Sequence, residues 1–211
     1  MAFGSRVPGA ASALDPEPAS LAGQPCGSLA RVLARVFREP KPEILALGPL
    51  CGDSVVYLAG RGARVHVEDL DLPEPGPERK PGDTHVELPP PFRLDQPDAR
   101  FSLVLAWETL DFVPPDRLQE FGSELRRVLR DQGTLFLFSH AKPLQTHEPP
   151  ARYRVLADDV IVREAKTDLV RIRYTHPTRE IERALRGLAV QGIHLQRSQM
   201  REIVAIKAGV G

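Results

Sequence analysis

Residues 43–71 read EILALGPLCGDSVVYLAGRGARVHVEDLD, and the way this stretch folds constrains everything around it. Glu43 to Leu47 is a short apolar run without alternation, which suits a strand buried on both faces of a parallel sheet. Gly48 and Gly52 then bracket a tight turn, where a missing Cβ permits positive φ and lets backbone amides approach a ligand. Val55, Val56, Leu58 and Ala59 follow at helical spacing, and Gly60 and Gly62 stop that helix. Arg64 to Val67 make a second strand that ends in the carboxylates Glu68, Asp69 and Asp71. The turn faces the carboxyl end of the first strand, and an acid leaves the second strand beside it. Amides that open a helix suit polar or negative groups, and a carboxylate about 20 residues on suits a ribose diol. A nucleoside-sized ligand is expected there, with Asp69 the leading diol acceptor ahead of Glu68 and Asp71. A phosphate-gripping loop is disfavoured because no Lys-Ser or Lys-Thr follows Gly52, and the turn lacks the three-glycine spacing of nicotinamide binders.

Outward from that stretch, 211 residues suit one domain with a sizeable core. Lys plus Arg and Asp plus Glu both number 28, so no global basic field steers the chain to nucleic acid. Nucleic acid is accordingly disfavoured as a partner, and a small-molecule substrate or a protein is favoured. The 21 prolines are about twice the usual share and fall largely in tails and loops. Cys26 and Cys51 form no CxxC pair and no disulfide framework, which makes the cytoplasm the default compartment. Cys51, inside the turn, reads as a small filler rather than a reactive thiol. No apolar run of about 18 residues offers a membrane span. The six histidines include no HExxH or similar ligand spacing, so no metal is expected.

The remaining segments complete the pattern. Met1 to Gly27, rich in Ala, Pro, Gly and Ser, is expected to be a mobile arm. Ser28 is placed to cap a helix to about Arg38, with Leu29, Val32, Leu33, Val36 and Phe37 as its apolar stripe. A proline-glycine loop, LPEPGPERKPGD, follows Asp71, and His85 to Leu88 reads as a short strand stopped by Pro89, Pro90 and Pro91. FSLVLAW, residues 101–107, is a buried strand. Asp116 to about Arg130 is expected to be a helix closed by Gly133, and TLFLFSH, residues 134–140, another buried strand. His140, at the ligand-facing end of that strand, is a candidate general base near neutral pH. VIVREAKT and LVRIRY alternate apolar and charged residues, which predicts an antiparallel hairpin inserted at about 153–175. An exposed edge of that hairpin would offer a homodimer contact. A helix over Thr178 to Val190, closed by Gly192, leads to the strands IHLQRS and REIVAIKA. Strands that alternate with helices until the last two give an α/β fold, Rossmann-like and doubly wound, with a mostly parallel sheet and an antiparallel C-terminal edge strand.

Over roughly residues 40–140 the sequence resembles the class I S-adenosylmethionine-dependent methyltransferases. Gly48 and Gly52 match the outer glycines of that family's turn, and Asp69 matches the acid that closes its second strand. Ala46 stands where the family has its first carboxylate, Leu50 where its middle glycine belongs, and Ser102 where an acid is common. The resemblance implies that Gly48, Pro49, Leu50 and Gly52 seat the amino-acid end of S-adenosylmethionine. It also implies that Asp69, Leu70 and Trp107 flank the nucleoside. Trp107, Glu108, Asp111 and Phe112 would shape an acceptor pocket, with Glu108 or Asp111 as further proton acceptors beside His140. Residues 28–211 would be a single methyltransferase-like domain, and the resemblance implies that the 1–27 arm can fold over the cofactor as a lid. Two functions remain open: a methyltransferase for a small-molecule acceptor, and a noncatalytic descendant of the fold that binds a partner.

Overall fold

Each buried strand has two apolar faces to cover, and the chain supplies the cover from both sides. The computed structural model of the protein describes residues 23–48, 52–69, 92–142, 147–148, 151–165 and 171–209. In chain order the elements are β1 (Gln24–Pro25), α1 (Gly27–Val36), β2 (Glu43–Leu47), α2 (Gly52–Gly60), β3 (Arg64–Glu68) and β4 (Phe101–Trp107). Two short 3₁₀ turns, Thr109–Phe112 and Pro115–Arg117, lead into α3 (Leu118–Val128) and β5 (Leu129–His140). Then come β6 (His147–Glu148), β7 (Ala151–Ala157), β8 (Val160–Ala165), β9 (Arg171–Ile172), α4 (Thr178–Ala184), β10 (Leu188–Leu195) and β11 (Met200–Lys207).

The main sheet has the order β10-β11-β5-β4-β2-β3. β3, β2, β4 and β5 run parallel, while β11 is antiparallel to β5 and β10 antiparallel to β11. The doubly wound sheet expected from the sequence is present, and its antiparallel C-terminal edge is the β11–β10 pair. Alternation along the strands separates two cores. Leu45, Leu47, Val104, Leu135 and Leu137 pack with Phe121 and Leu125 of α3 and Ile181 of α4. Ile44, Ala46, Leu103, Leu105, Phe136 and Phe138 pack instead with Leu29 and Leu33 of α1, Leu58 of α2 and Tyr153 of β7. No described helix is long and apolar enough to cross a membrane.

Several boundaries differ from those read in the sequence. α1 begins at Gly27 behind Cys26 with no side-chain cap, and Ser28 is buried and accepts a hydrogen bond from Arg31. The start is set from outside the helix, because the Cys26 amide donates to the Asp159 carbonyl in the β7–β8 turn. The arm expected over 1–27 is thus anchored at its end: Gln24 and Pro25 pair with β8. The hairpin expected between VIVREAKT and LVRIRY is instead β7 with β8, and the described part of the second segment, Arg171–Ile172, pairs as β9 with β6. α4 stops at Ala184, since Gly187 takes φ 91° and Leu188 already pairs with Lys207. Leu185 and Leu188 satisfy a helical spacing and a strand start equally well. Residues 85–88, read as a strand, lie outside the described residues.

Candidate functional site

Strand order reverses between β2 and β4, and in doubly wound sheets ligands bind in the crevice at the carboxyl ends of the strands flanking that switch. Gly48, directly after β2, has φ 84°, a conformation that any side chain would strain. Its amide donates to the Glu68 carbonyl at 2.9 Å, which draws the ends of β2 and β3 together. Asp69 follows there, exposed. Glu68 uses Oε1 to accept the Asp95 amide at 2.8 Å, while its buried Oε2 has no hydrogen-bond partner. A Cβ on Gly48 would lie 3.6 Å from Thr109 Oγ1, so the turn abuts the exit of β4. Trp107 closes β4 at φ 39°, an uncommon left-handed conformation for a bulky residue, and the β4–β5 register slips beside it. Its indole Nε1 is buried without a hydrogen-bond partner. Gly52 opens α2 and is exposed, and Pro49, Leu50 and Leu70 lie outside the described residues.

The inserted hairpin lies across this crevice. The Ser54 hydroxyl, buried in the first turn of α2, donates to the Tyr153 carbonyl at 3.1 Å and accepts the Val155 amide at 2.9 Å. Arg154 pairs with Asp53 at 2.6 Å. The Tyr153 ring stacks on Trp107 with centroids 4.8 Å apart and planes 3° from parallel, and on Phe138 at 5.2 Å. Beneath the hairpin, the Tyr153 hydroxyl donates to Glu108, and Arg163 and Arg173 reach the same carboxylate, Arg173 at 2.8 Å. Burial alone would raise the Glu108 carboxyl, but the Arg163 hydrogen bond and charge, with Arg173, outweigh it and hold the group at about 2. Burial and the adjacent Glu108 charge push the Tyr153 phenol well above its ordinary range.

Asp111 and His140 form the second half of the cluster. Asp111, wholly buried, accepts both the His140 amide at 2.9 Å and Nδ1 of its ring at 2.7 Å. A carboxylate at that distance sets the proton on Nδ1 and leaves the lone pair on Nε2. Arg173, which can only donate, therefore meets that lone pair: its Nη1 lies 3.3 Å from Nε2 and 2.8 Å from Nδ1, and its guanidinium joins the His140 pair to Glu108. Phe112 is buried under Arg173 at 4.9 Å. The chain thus brings Glu108, Asp111 and His140 into one buried network beside Trp107. Tyr153, Arg163, Arg173 and Ser54 were not singled out in the sequence. Their partners are 33 to 101 positions away, a separation that no local pattern encodes.

Among solved structures the chain is similar to an S-adenosylmethionine-dependent methyltransferase from Mesorhizobium loti. They share 16% identity over 86% of this chain and 96% of that one, with a TM-score of 0.52. It is also similar, at 11% identity over 87% and 82% of the two chains and a TM-score of 0.51, to a structure described as converting a disulfide bond into a thioacetal group during echinomycin biosynthesis. No protein-family model matches the chain, and no curated protein sequence does. The fold is the class I methyltransferase fold.

Within that fold the departures from the family pattern differ in position. Ala46 lies one residue before the end of β2, fully buried, in the apolar cluster that includes Trp107 and Tyr153. Ser102 is at the other end of its strand, near the start of β4, where it donates to Glu39 at 2.7 Å. Its loss of an acid therefore lies away from the carboxyl-end crevice. At the ends of β2, β3 and β4 the chain holds Gly48 at positive φ, Asp69 directly after the Glu68 whose carbonyl accepts the Gly48 amide, and a buried Trp107 indole N–H without a hydrogen-bond partner.

Proposed function

We propose that the protein is an S-adenosylmethionine-dependent methyltransferase acting on a small-molecule acceptor. The observation that carries this reading is the junction at Gly48, whose amide ties the ends of β2 and β3 together at the switch point, next to Asp69 and the unpartnered Trp107 indole. In this reading Asp69 accepts the ribose hydroxyls, and the turn after Gly48 lies along the amino-acid end. A bound S-adenosylmethionine supplies a methyl group on a sulfonium, which the acceptor heteroatom takes as the methyl–sulfur bond breaks and the acceptor's proton passes to a base. His140 is that base: Asp111 holds Nδ1–H, and the Nε2 lone pair, which faces Arg173 Nη1 at 3.3 Å, takes the proton when the acceptor displaces that guanidinium. Asp111 is its positioning residue. Glu108, held at about 2 by its guanidiniums, is a poor proton acceptor near neutral pH and instead fastens the hairpin. Positioning provides most of the rate in such a transfer.

A second reading, a noncatalytic binding module, is favoured by Ala46. A carboxylate missing there removes a charge-assisted contact of about 1.5–3 kcal/mol. Calorimetric titration with S-adenosylmethionine and S-adenosylhomocysteine separates the two. Low-micromolar binding that is lost in Asp69→Ala supports the enzyme, and absence of heat at millimolar ligand supports the module.

A further inference from the structure

α1 buries Leu29, Leu33 and Val36 against the sheet but leaves part of β11 uncovered. Val204 and Ile206, which alternate with the buried Ile203 and Ala205, stay half-buried beside a cavity of about 230 Å³ between α1 and the β10–β11 pair. Opposite Val204 in the ladder stands Gly192, which has no side chain to lay over it, at the point where the β10–β11 register slips. A bulge re-aims the side chains beside it. Here the His194 ring comes back over the glycine, since a Cβ on Gly192 would lie 2.8 Å from His194 Nε2. The facing wall is α1, from which Arg31 and Arg35, one helical turn apart, line the same space.

Each of these guanidiniums is held by one amino group, which leaves the rest of its fork for a ligand. Arg31 Nη2 donates to Ser28 Oγ at 3.2 Å, and Arg35 Nη2 donates to the Gln132 carbonyl at 3.2 Å. No carboxylate is in the cavity wall, and among the described residues none pairs with either arginine. In a chain whose 28 cations balance 28 acids, this is a local excess of positive charge. A guanidinium fork matches phosphate oxygens, and a phosphate monoester carries about 1.5 to 2 negative charges near neutral pH. A single carboxylate would compensate only one of the two arginines. The exposed His194 adds a ring nitrogen at the rim. Val204 and Ile206 suit an apolar body, and a volume below the span of drug-sized sites restricts that body to about one ring.

We propose that this cavity binds a small organic phosphate, a monoester on an apolar body of about one ring, with its phosphate at Arg31 and Arg35 and its body on Val204 and Ile206. Thr134, which lines the cavity, pairs with Leu103 in the first half of β4, whereas the crevice opens at the carboxyl ends of the strands. The two sites are therefore separate, and the proposal does not rest on the methyltransferase reading.

The test is calorimetry on the full chain at pH 7 with phenyl phosphate, with phenol as the ring alone and inorganic phosphate as the head alone. Phenyl phosphate is expected to bind at least tenfold more tightly than either fragment. The double variant Arg31→Gln/Arg35→Gln is expected to weaken it at least tenfold, because charge-assisted hydrogen bonds are lost. Gln191→Glu, which adds an acid at an exposed position of the rim without touching the core, is expected to weaken it several-fold. Arg38→Gln, exposed just beyond α1 and outside the cavity, is expected to leave it unchanged. Absence of heat with phenyl phosphate at millimolar concentration overturns the site. Inorganic phosphate bound as tightly as phenyl phosphate overturns the apolar subsite, and phenol bound as tightly overturns the phosphate subsite. Binding that the double variant and Gln191→Glu both leave intact, or that Arg38→Gln weakens equally, overturns the location.

Discussion

Glu108 holds two guanidiniums and a phenol on its two oxygens, so removing its charge leaves Arg163 and Arg173 facing each other without compensation. Breaking a buried pair from one side costs about 3–5 kcal/mol. Glu108→Gln is expected to lose that much in urea unfolding, and a loss under about 1 kcal/mol would show that the network is loosely held. The acid limb follows from the same carboxyl. Its value in the folded protein, about 2, lies below the ordinary carboxyl value of 4.5, so its contribution is complete above about 4.5 and disappears as the pH falls toward about 2. The urea midpoint of the parent protein should fall over that window more steeply than that of Glu108→Gln. At this scale the sequence was partly legible: Glu108, Asp111 and His140 stood out as titratable residues following buried strands. What faces each of them was hidden, because Arg163 and Arg173, which meet Glu108 and His140, lie far along the chain.

Two elements meet through single small side chains. Ser54→Ala would strand the Val155 amide and the Tyr153 carbonyl where β7 crosses α2. Unsatisfied buried groups cost about 1–3 kcal/mol, and amide exchange along β7 should accelerate while α3 remains protected. Uniform acceleration throughout would mean that the hairpin is not a separable unit. On the opposite face, a Cβ at Gly122 would lie 2.0 Å from the Ala184 carbonyl oxygen, so α3 and α4 touch backbone to backbone. Gly122→Ala is expected to lower stability by about 1–3 kcal/mol through overpacking, measured by thermal denaturation; an unchanged midpoint would sink the close-contact account. Strands and helices with one consistent period were readable from sequence. The ends of α1 and α4 were not, since the Asp159 carbonyl and the β10–β11 pairing set them.

At the scale of the whole molecule, the doubly wound order was legible because buried strands read as unbroken apolar runs and alternate with amphipathic helices. The hairpin's resting place was not, since β7 and β8 alternate apolar and charged residues just as a solvent-facing ribbon would. A donor that binds only the folded state must stabilise all of it: S-adenosylhomocysteine at one hundred times its dissociation constant should add about 2.7 kcal/mol to the unfolding free energy. No shift in the melting temperature at millimolar ligand would remove the donor from the account. The chain has a single tryptophan, Trp107, and the fold places it where β4, Tyr153 and the Gly48 turn converge. Its intrinsic emission therefore reports on that junction, so any event that disturbs the Trp107–Tyr153 stack can be followed optically in the unlabelled protein.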